Sequence, residues 1–349
     1  MEPVTHLAAG LLTAQALEPD PKRRRPLSLL CGVAATIPDV DILSRYFSLE
    51  SYLLHHRGIT HSVFFLPVFA LLLAWAARKM GARLTLARAW TAAALALATH
   101  IFLDVVTAFG TQVLLPFSNA RLSIEGVFVV DPAFTVALYA CLLLGRQLPA
   151  PSGASRRAYA LAGLALLVCY PLACNALRLN VQHRYEALLT RRLASFDEVT
   201  AIPDALSPWY WKIVVRRGGE LTVTTAELPD VARPHPSVTL RQVPRQELAE
   251  LGRSASIFGT YAWFAGHPAS YLGPPVIPQA SLQDGALPVP AGGRAVRYVD
   301  ALFLNTGPVL SALSGHRPVF SELTVVEDAA GRLLAWFDER GRTHPVAAP

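Results

Sequence analysis

Residues 1–178 are dominated by apolar runs at about 4–17, 27–43, 62–77, 89–109, 128–145 and 158–178. A helix needs roughly 17–25 mainly apolar residues to cross a bilayer. The runs from 62 onward come near that length. The first two are shorter or carry acids, and read as half-spans or as helices packed inside a bundle. Hydrophobic residues make up 52% of the chain and charged ones 16%, against roughly 25% charge in soluble proteins. The deficit is confined to this half, whereas residues 179–349 have the texture of a soluble domain. A chain of 349 residues holds two domains of ordinary size. The expected fold is an all-α polytopic membrane domain over 1–178, with five to six apolar helices, followed by a β-rich (α+β) soluble C-terminal domain over 179–349.

The net charge of +6 does not point to nucleic acid. Its basic residues cluster beside apolar segments, at Lys22-Arg23-Arg24-Arg25, Arg78-Lys79 and Arg156-Arg157. That placement follows the positive-inside rule and puts the connections 19–26, 78–88 and 146–157 in the cytoplasm. The connections 44–61 and 110–127, the N-terminus and everything after 178 then face the other side, although Arg45, Arg57 and Arg121 weaken the contrast. A multi-pass inner-membrane protein with an extracytoplasmic C-terminal domain is expected. Residues 1–17 lack a basic n-region, which argues against a cleaved signal peptide. Cys31, Cys141, Cys169 and Cys174 all lie in apolar segments and read as packing residues.

Beyond 178, Trp209–Thr225 reads as two strands around Gly218-Gly219. Residues 237–243, 295–299 and 323–327 alternate as further strands, and Asp328–Arg332 followed by Leu333–Phe337 reads as a hairpin. Helix is expected at about 183–196 and 245–252, and a long loop region at 265–295.

Five polar clusters interrupt the apolar half: His6; Asp39 and Asp41; His55, His56, Arg57 and His61; His100 and Asp104; and Asp131. Ionisable groups at membrane depth cost a few kcal/mol each, and a bound divalent cation offsets that cost through imidazole and carboxylate ligands. His100 and Asp104 are four residues apart and project from one helix face. Asp39 and Asp41 flank a Pro-bounded helix end, and His56 and His61 bracket a glycine turn. In the topology above every cluster falls at one membrane face. Seven or eight candidate ligands exceed the three or four of a single catalytic zinc, which favours a two-metal site. Arg57 offers a fork of donors for a phosphate oxygen.

Each residue also has a plainer role. His6 fits a core or interfacial histidine, Asp39 a helix cap, and Asp131 a helix start before Pro132. His61, His100 and Asp104 fit an internal hydrogen-bonded network, and Arg57 a side chain that snorkels to the interface. His55 is expected to face solvent or to stand behind the ligands.

Thr5-His6, Pro38-Asp39-Val40-Asp41, His56-Arg57-Gly58-Ile59-Thr60-His61-Ser62 and His100 with Asp104 in an apolar helix together resemble the YdjM-like family over about residues 1–145. That family is described as membrane-bound, metal-dependent hydrolases. The resemblance implies the ligand set His6, Asp39, Asp41, His56, His61, His100 and Asp104. The histidine–aspartate helix is also similar to zinc-dependent phospholipase C and related nucleases, which leans the substrate toward phosphoesters.

The expected function is thus a membrane-bound hydrolase using one or two divalent ions, zinc first and manganese or iron as alternatives. Activated water would attack an ester or phosphoester, and a lipid or lipid-linked head group at the bilayer surface is the natural substrate. Arg57 would stabilise the developing anion, and Asp41 or Asp131 would serve as general base. The rivals are a metal-ion or proton-coupled transporter and a non-catalytic membrane protein with a structural metal. The absence of His-Glu-x-x-His argues against an intramembrane protease of that kind.

Overall fold

A computed structural model of the chain describes residues 1–147, 153–192, 195–272, 289, 291–309, 312, 322–338 and 342–346. All six apolar runs are helical. They give α1 (Pro3–Leu17), then α2 (Pro21–Ala34) with a 3₁₀ continuation over Ile37–Tyr46. A short α3 (Leu49–His55) and a 3₁₀ turn at Ile59–His61 precede α4 (Leu66–Lys79), α5 (Leu86–Val105), α6 (Pro132–Gln147) and α7 (Gly153–Arg192). Local sequence sets the starts. Glu2 accepts from Thr5 N at 2.8 Å, Asp20 from Lys22 N at 2.9 Å and Thr85 from Arg88 N at 3.3 Å, satisfying N–H groups that have no partner in a first turn.

Three helical stretches are long and apolar enough to cross a membrane: Pro21–Tyr46, Leu86–Val105 and Ala154–Arg192. A fourth arises if Leu49–His61 and Leu66–Lys79, bent by 74°, count as one span. This is fewer than the five to six expected. The 15 residues of α1 rise about 22 Å, short of a hydrocarbon core of about 30 Å, and α6 has only 16.

The helical unit packs through small residues. Alanines at 70 and 74 on α4 and at 89, 92, 93 and 96 on α5 are fully buried together, which lets the backbones approach closely. At Gly10 an added Cβ would sit 2.4 Å from Cys31 O and 2.7 Å from Ala35 Cβ. The α1 backbone is thereby pressed against the end of α2, a few residues from Asp39. Each of the four cysteines is a free thiol.

The chain divides into two compact units. One comprises Met1–Ser44, His55–Arg178 and Ala205–Pro208; the other takes Arg45–Leu54, Leu179–Asp204 and Trp209–Pro349. Arg45–Leu54 thus groups with residues beyond 178.

In the second unit nine strands follow one another as antiparallel neighbours in chain order. They are β1 (Glu198–Pro203), β2 (Tyr210–Arg217), β3 (Glu220–Glu227), β4 (Val238–Gln242), β5 (Pro268–Tyr271), β6 (Arg294–Asp300), β7 (Leu323–Glu327), β8 (Leu333–Phe337) and β9 (Thr343–Pro345). Gly218 and Gly219, with φ of 56° and 85°, form the turn between β2 and β3, as a two-residue hairpin of primed type requires. Two further helices are α8 (Arg245–Leu251) and α9 (Ser256–Phe264). α9 was not anticipated, because its aromatic, Gly-containing sequence has weak helix propensity. It forms because Ile257, Phe258, Tyr261 and Phe264 bury one face. β5 lies inside the region expected as loop, most of which falls outside the described residues.

Trp211 in β2 is fully buried, whereas Trp209 just before the strand is 55% exposed. Beside Trp211, Lys212 is buried and donates to Leu302 O at 2.5 Å. Burial pushes its ammonium below the usual lysine range, with Asp204 and then Asp300 opposing the shift.

Candidate metal centre

Four segments bring His6, Asp39, His61, His100 and Asp104 together. His6 lies in the first turn of α1, and His100 and Asp104 lie one turn apart on α5. Asp39 follows Pro38 in the 3₁₀ continuation of α2, and His61 ends the turn after Gly58. That turn requires glycine: a Cβ at 58 would lie 2.7 Å from His55 O.

His6, His61, His100 and Asp104 are wholly buried, and the Asp39 side chain is 20% exposed. His6 stacks on His100 with ring centroids 3.9 Å apart. Its Nε2 lies 3.5 Å from Asp104 Oδ1 and 3.8 Å from Asp39 Oδ2. His61 Nε2 lies 2.9 Å from both Asp104 Oδ2 and His100 Nε2. One donor atom each from His6, Asp39, His100 and Asp104 falls within 4.8 Å of the others.

The chemistry of this donor set fits a divalent cation. His100 Nδ1 is 2.7 Å from Ala35 O, and His61 Nδ1 is 3.2 Å from Asp41 Oδ2. A carbonyl or carboxylate can only accept, so both Nδ1 atoms carry hydrogen. In neutral rings the two Nε2 lone pairs then face each other and the Asp104 carboxylate. Neither His6 nitrogen, nor Asp104 Oδ2, has a hydrogen-bond partner among the described residues. Buried acceptors without donors are costly, and a cation satisfies several at once. Ligands about 2.0–2.2 Å from a tetrahedral zinc stand about 3.3–3.6 Å apart, so a pair at the 4.8 Å limit of this cluster closes by about an ångström around a bound ion.

Asp41 and His56 lie one layer out. Asp41 Oδ1 is 2.6 Å from His56 Nδ1, and Oδ2 accepts from Thr60 Oγ1 at 2.7 Å and Arg57 N at 3.0 Å. Asp41 thus holds the 56–61 loop and the far side of the His61 ring. Outer partners of this kind fix the tautomer and orientation of a metal-binding imidazole.

Arg57 is buried with φ of 57°, a left-handed backbone that is strained for a residue with a Cβ. Its Nη2 pairs with Asp104 Oδ1 at 2.9 Å, and Nη1 donates to Asp104 O at 3.1 Å and Thr107 Oγ1 at 2.7 Å. The Phe109 ring lies 4.9 Å beneath the guanidinium. Arg57 therefore balances the Asp104 charge instead of snorkelling to the surface. The backbone nitrogen of Met1 also contacts Asp104 Oδ1.

Asp131 is not brought to the cluster. Its Oδ1 accepts from Phe134 N at 3.0 Å, starting α6, and its Oδ2 from Tyr170 OH at 2.8 Å. His55 is exposed. Thr107 and Phe109 support the site without having been singled out in the sequence, and Thr60 was read there only as part of the His56–Ser62 motif, with no role given. The only signals were the position of Thr60 beside His61 and that of Thr107 three residues after Asp104.

Comparison with known proteins bears on the same region. The model of the YdjM inner membrane protein family matches residues 1–180. The chain is similar to the uncharacterized protein YfhP of Bacillus subtilis (strain 168), at 22% identity over 225 residues, covering 62% of this chain and 65% of YfhP. It is also similar to the inner membrane protein YbcI of Escherichia coli (strain K12), at 35% identity over 122 residues, covering 34% of this chain and 69% of YbcI. The chain thus spans about two thirds of the length of the relatives it matches. No solved structure matches it. With the family match extending over residues 1–180 of 349, and the His/Asp cluster wholly inside it, the chain belongs to the YdjM family of inner membrane proteins.

Proposed function

We propose that the protein is a metal-dependent hydrolase acting on an ester or phosphoester of a membrane-borne substrate. The observation that carries this reading is the convergence of His6, Asp39, His100 and Asp104, four candidate ligands of which only Asp39 is open to the outside. These four would hold the cation, with zinc favoured by the nitrogen–oxygen donor set and manganese or iron as alternatives. When bound, the ion supplies a Lewis acid that polarises a substrate oxygen and acidifies water.

The chain's own groups divide the remaining work. His61, with Nδ1 turned to Asp41, offers Nε2 toward the cluster to receive a proton from the attacking water. Arg57 pairs with Asp104 and holds it in place; any role on a developing anion is exerted through that carboxylate. Asp131, occupied at the start of α6, has no part in the chemistry. In this reading the six apolar helices are all embedded in the membrane. The basic clusters face the cytoplasm, so the cluster end and the sheet domain lie on the outer side.

The substrate class follows from the surroundings of the open ligand. In the same 3₁₀ stretch as Asp39, the residues Ile37, Val40, Ile42 and Leu43 are 42–50% exposed. An apolar rim favours a head group carried by lipid over a freely soluble ester.

The test is metal content of the detergent-purified chain, wild type beside His6→Ala and His100→Ala, followed by turnover of phosphodiester and carboxylester reporters in mixed micelles. One to two ions per chain, lost in both variants, with turnover that a chelator abolishes, is the expected result. A wild type that binds neither zinc nor manganese would sink the proposal, and so would a loaded protein inert toward both reporters.

A further inference from the structure

A second site lies on the helical unit outside the His/Asp cluster, and the hydrolase reading makes no use of it. α1, α5 and α7 bound a groove of about 440 Å³. Its walls include Leu95 and Phe102 of α5 and Leu164 and Val168 of α7, and α1 contributes Thr13 and Ala16. Leu95 and Val168 are 44% and 42% exposed, so the groove opens outward. It follows about 10 Å of α5 and of α7, at 1.5 Å per residue, within the candidate spans Leu86–Val105 and Ala154–Arg192. Its surroundings are therefore bilayer.

The lining asks for an occupant without polar groups. Thr13 Oγ1 donates to Ala9 O at 2.9 Å and Thr99 Oγ1 to Ala96 O at 2.8 Å. Both hydroxyls are thus satisfied within their own helices. One end of the groove differs. There Ala16, itself part of the lining, accepts from Arg157 Nε at 3.0 Å, and the Arg157 side chain is exposed. The nearby Glu18 carboxylate is already paired with Arg88 at 2.7 Å.

An apolar slot that ends in a cation matches one class of membrane molecule. We propose that this groove is a phospholipid site, with an acyl chain lying between α5 and α7 and the phosphate on the Arg157 guanidinium. A second transmembrane helix could cover the slot but would leave the cation without a counter-charge, whereas a phosphate meets its fork of donors. Arg157 belongs to the basic connection assigned to the cytoplasm, the side on which anionic lipids attract basic residues. The site is independent of any chemistry at the metal centre.

The experiment is native mass spectrometry of the delipidated full-length chain, titrated with phosphatidylglycerol or phosphatidylcholine. The wild type is expected to retain one phosphatidylglycerol in preference to phosphatidylcholine. Arg157→Gln should weaken phosphatidylglycerol binding about fivefold, the contribution of one basic residue near a lipid surface, and weaken phosphatidylcholine less, because its choline cation offsets the phosphate charge. Ala98→Trp, at an exposed position in the lining, should abolish retention of both lipids while the protein still elutes as one species. Undiminished lipid retention in Ala98→Trp would overturn the proposal, as would a wild type indifferent to head-group charge. A change of oligomeric state in Ala98→Trp with lipid retention intact would make the groove a helix-docking face instead.

Discussion

Replacing Asp41 with Asn keeps the shape of the side chain and removes its charge. The carboxylate serves one loop, with His56 Nδ1 at 2.6 Å, Thr60 Oγ1 at 2.7 Å, Arg57 N at 3.0 Å and His61 Nδ1 at 3.2 Å. An amide accepts at only one of its two terminal atoms, so either His56 or His61 loses its acceptor. A hydrogen bond to a charged group is worth about 1.5–3 kcal/mol. Loss of an outer partner of a metal-binding histidine typically costs about 10- to 100-fold in metal affinity, or about 1.4–2.8 kcal/mol at 1.36 kcal/mol per decade. The two estimates agree. Asp41→Asn should therefore weaken zinc or manganese binding about 10- to 100-fold with stoichiometry unchanged, whereas His100→Ala should eliminate a bound ion. Competition against a fluorescent chelator, on the detergent-purified full-length chain, measures both. Loss of a whole equivalent of metal in Asp41→Asn would make Asp41 a ligand and refute its placement behind His61. Unchanged affinity would refute the orienting role.

Arg57→Ala strips buried Asp104 of its guanidinium partner and leaves the Met1 nitrogen as its cation, and should cost up to about 3–5 kcal/mol of stability, read as a lowered melting temperature. Arg57→Lys should recover only part, because the bonds from Nη1 to Asp104 O and Thr107 Oγ1 need the guanidinium fork; an alanine variant as stable as wild type would contradict both. Gly10→Ala forces a Cβ to within 2.4 Å of Cys31 O, and should cost about 1–3 kcal/mol while prising α1 from α2 and loosening metal binding. An unaltered melting temperature would mean that the helices part at no cost. Burial holds the Lys212 ammonium below the usual lysine pKa of 10.5, so the unfolded chain binds more protons between the two values. Stability should accordingly rise with pH across that window up to 10.5. Lys212→Met should flatten the rise; a melting temperature that falls with pH, equally in both proteins, would show that Lys212 does not govern it.

The sequence made proximity legible better than role. His100 and Asp104 share a helix face by spacing alone, and the Gly58 turn announces a loop folding back on itself. The hairpin at Gly218-Gly219 was equally plain, since only glycine adopts both positive φ values without strain. Spacing does not say which ring nitrogen faces inward. Asp41 and Asp39 are two residues apart, yet one supports the 56–61 loop and the other joins the donor cluster. That difference arises from a 3₁₀ continuation where the sequence suggested a helix end. The direction of the Arg57 side chain was open for a related reason. A lone arginine beside an apolar run suggests a side chain reaching outward, and only tertiary contact with Asp104 and Thr107 turns it inward. Asp131 was ambiguous because an aspartate before proline suits both a helix start and a ligand, and Tyr170, 39 residues away, completes the first role. Where one side chain had to choose between two local fates, the choice was made by partners distant in sequence. The donors of the candidate metal centre come from α1, the end of α2, the turn after Gly58 and α5, so the cluster exists only once the helices have packed. The close approach at Gly10 is what ties that packing to the chemistry. It fixes α1 against the end of α2, and with it the His6–Asp39 edge of the cluster.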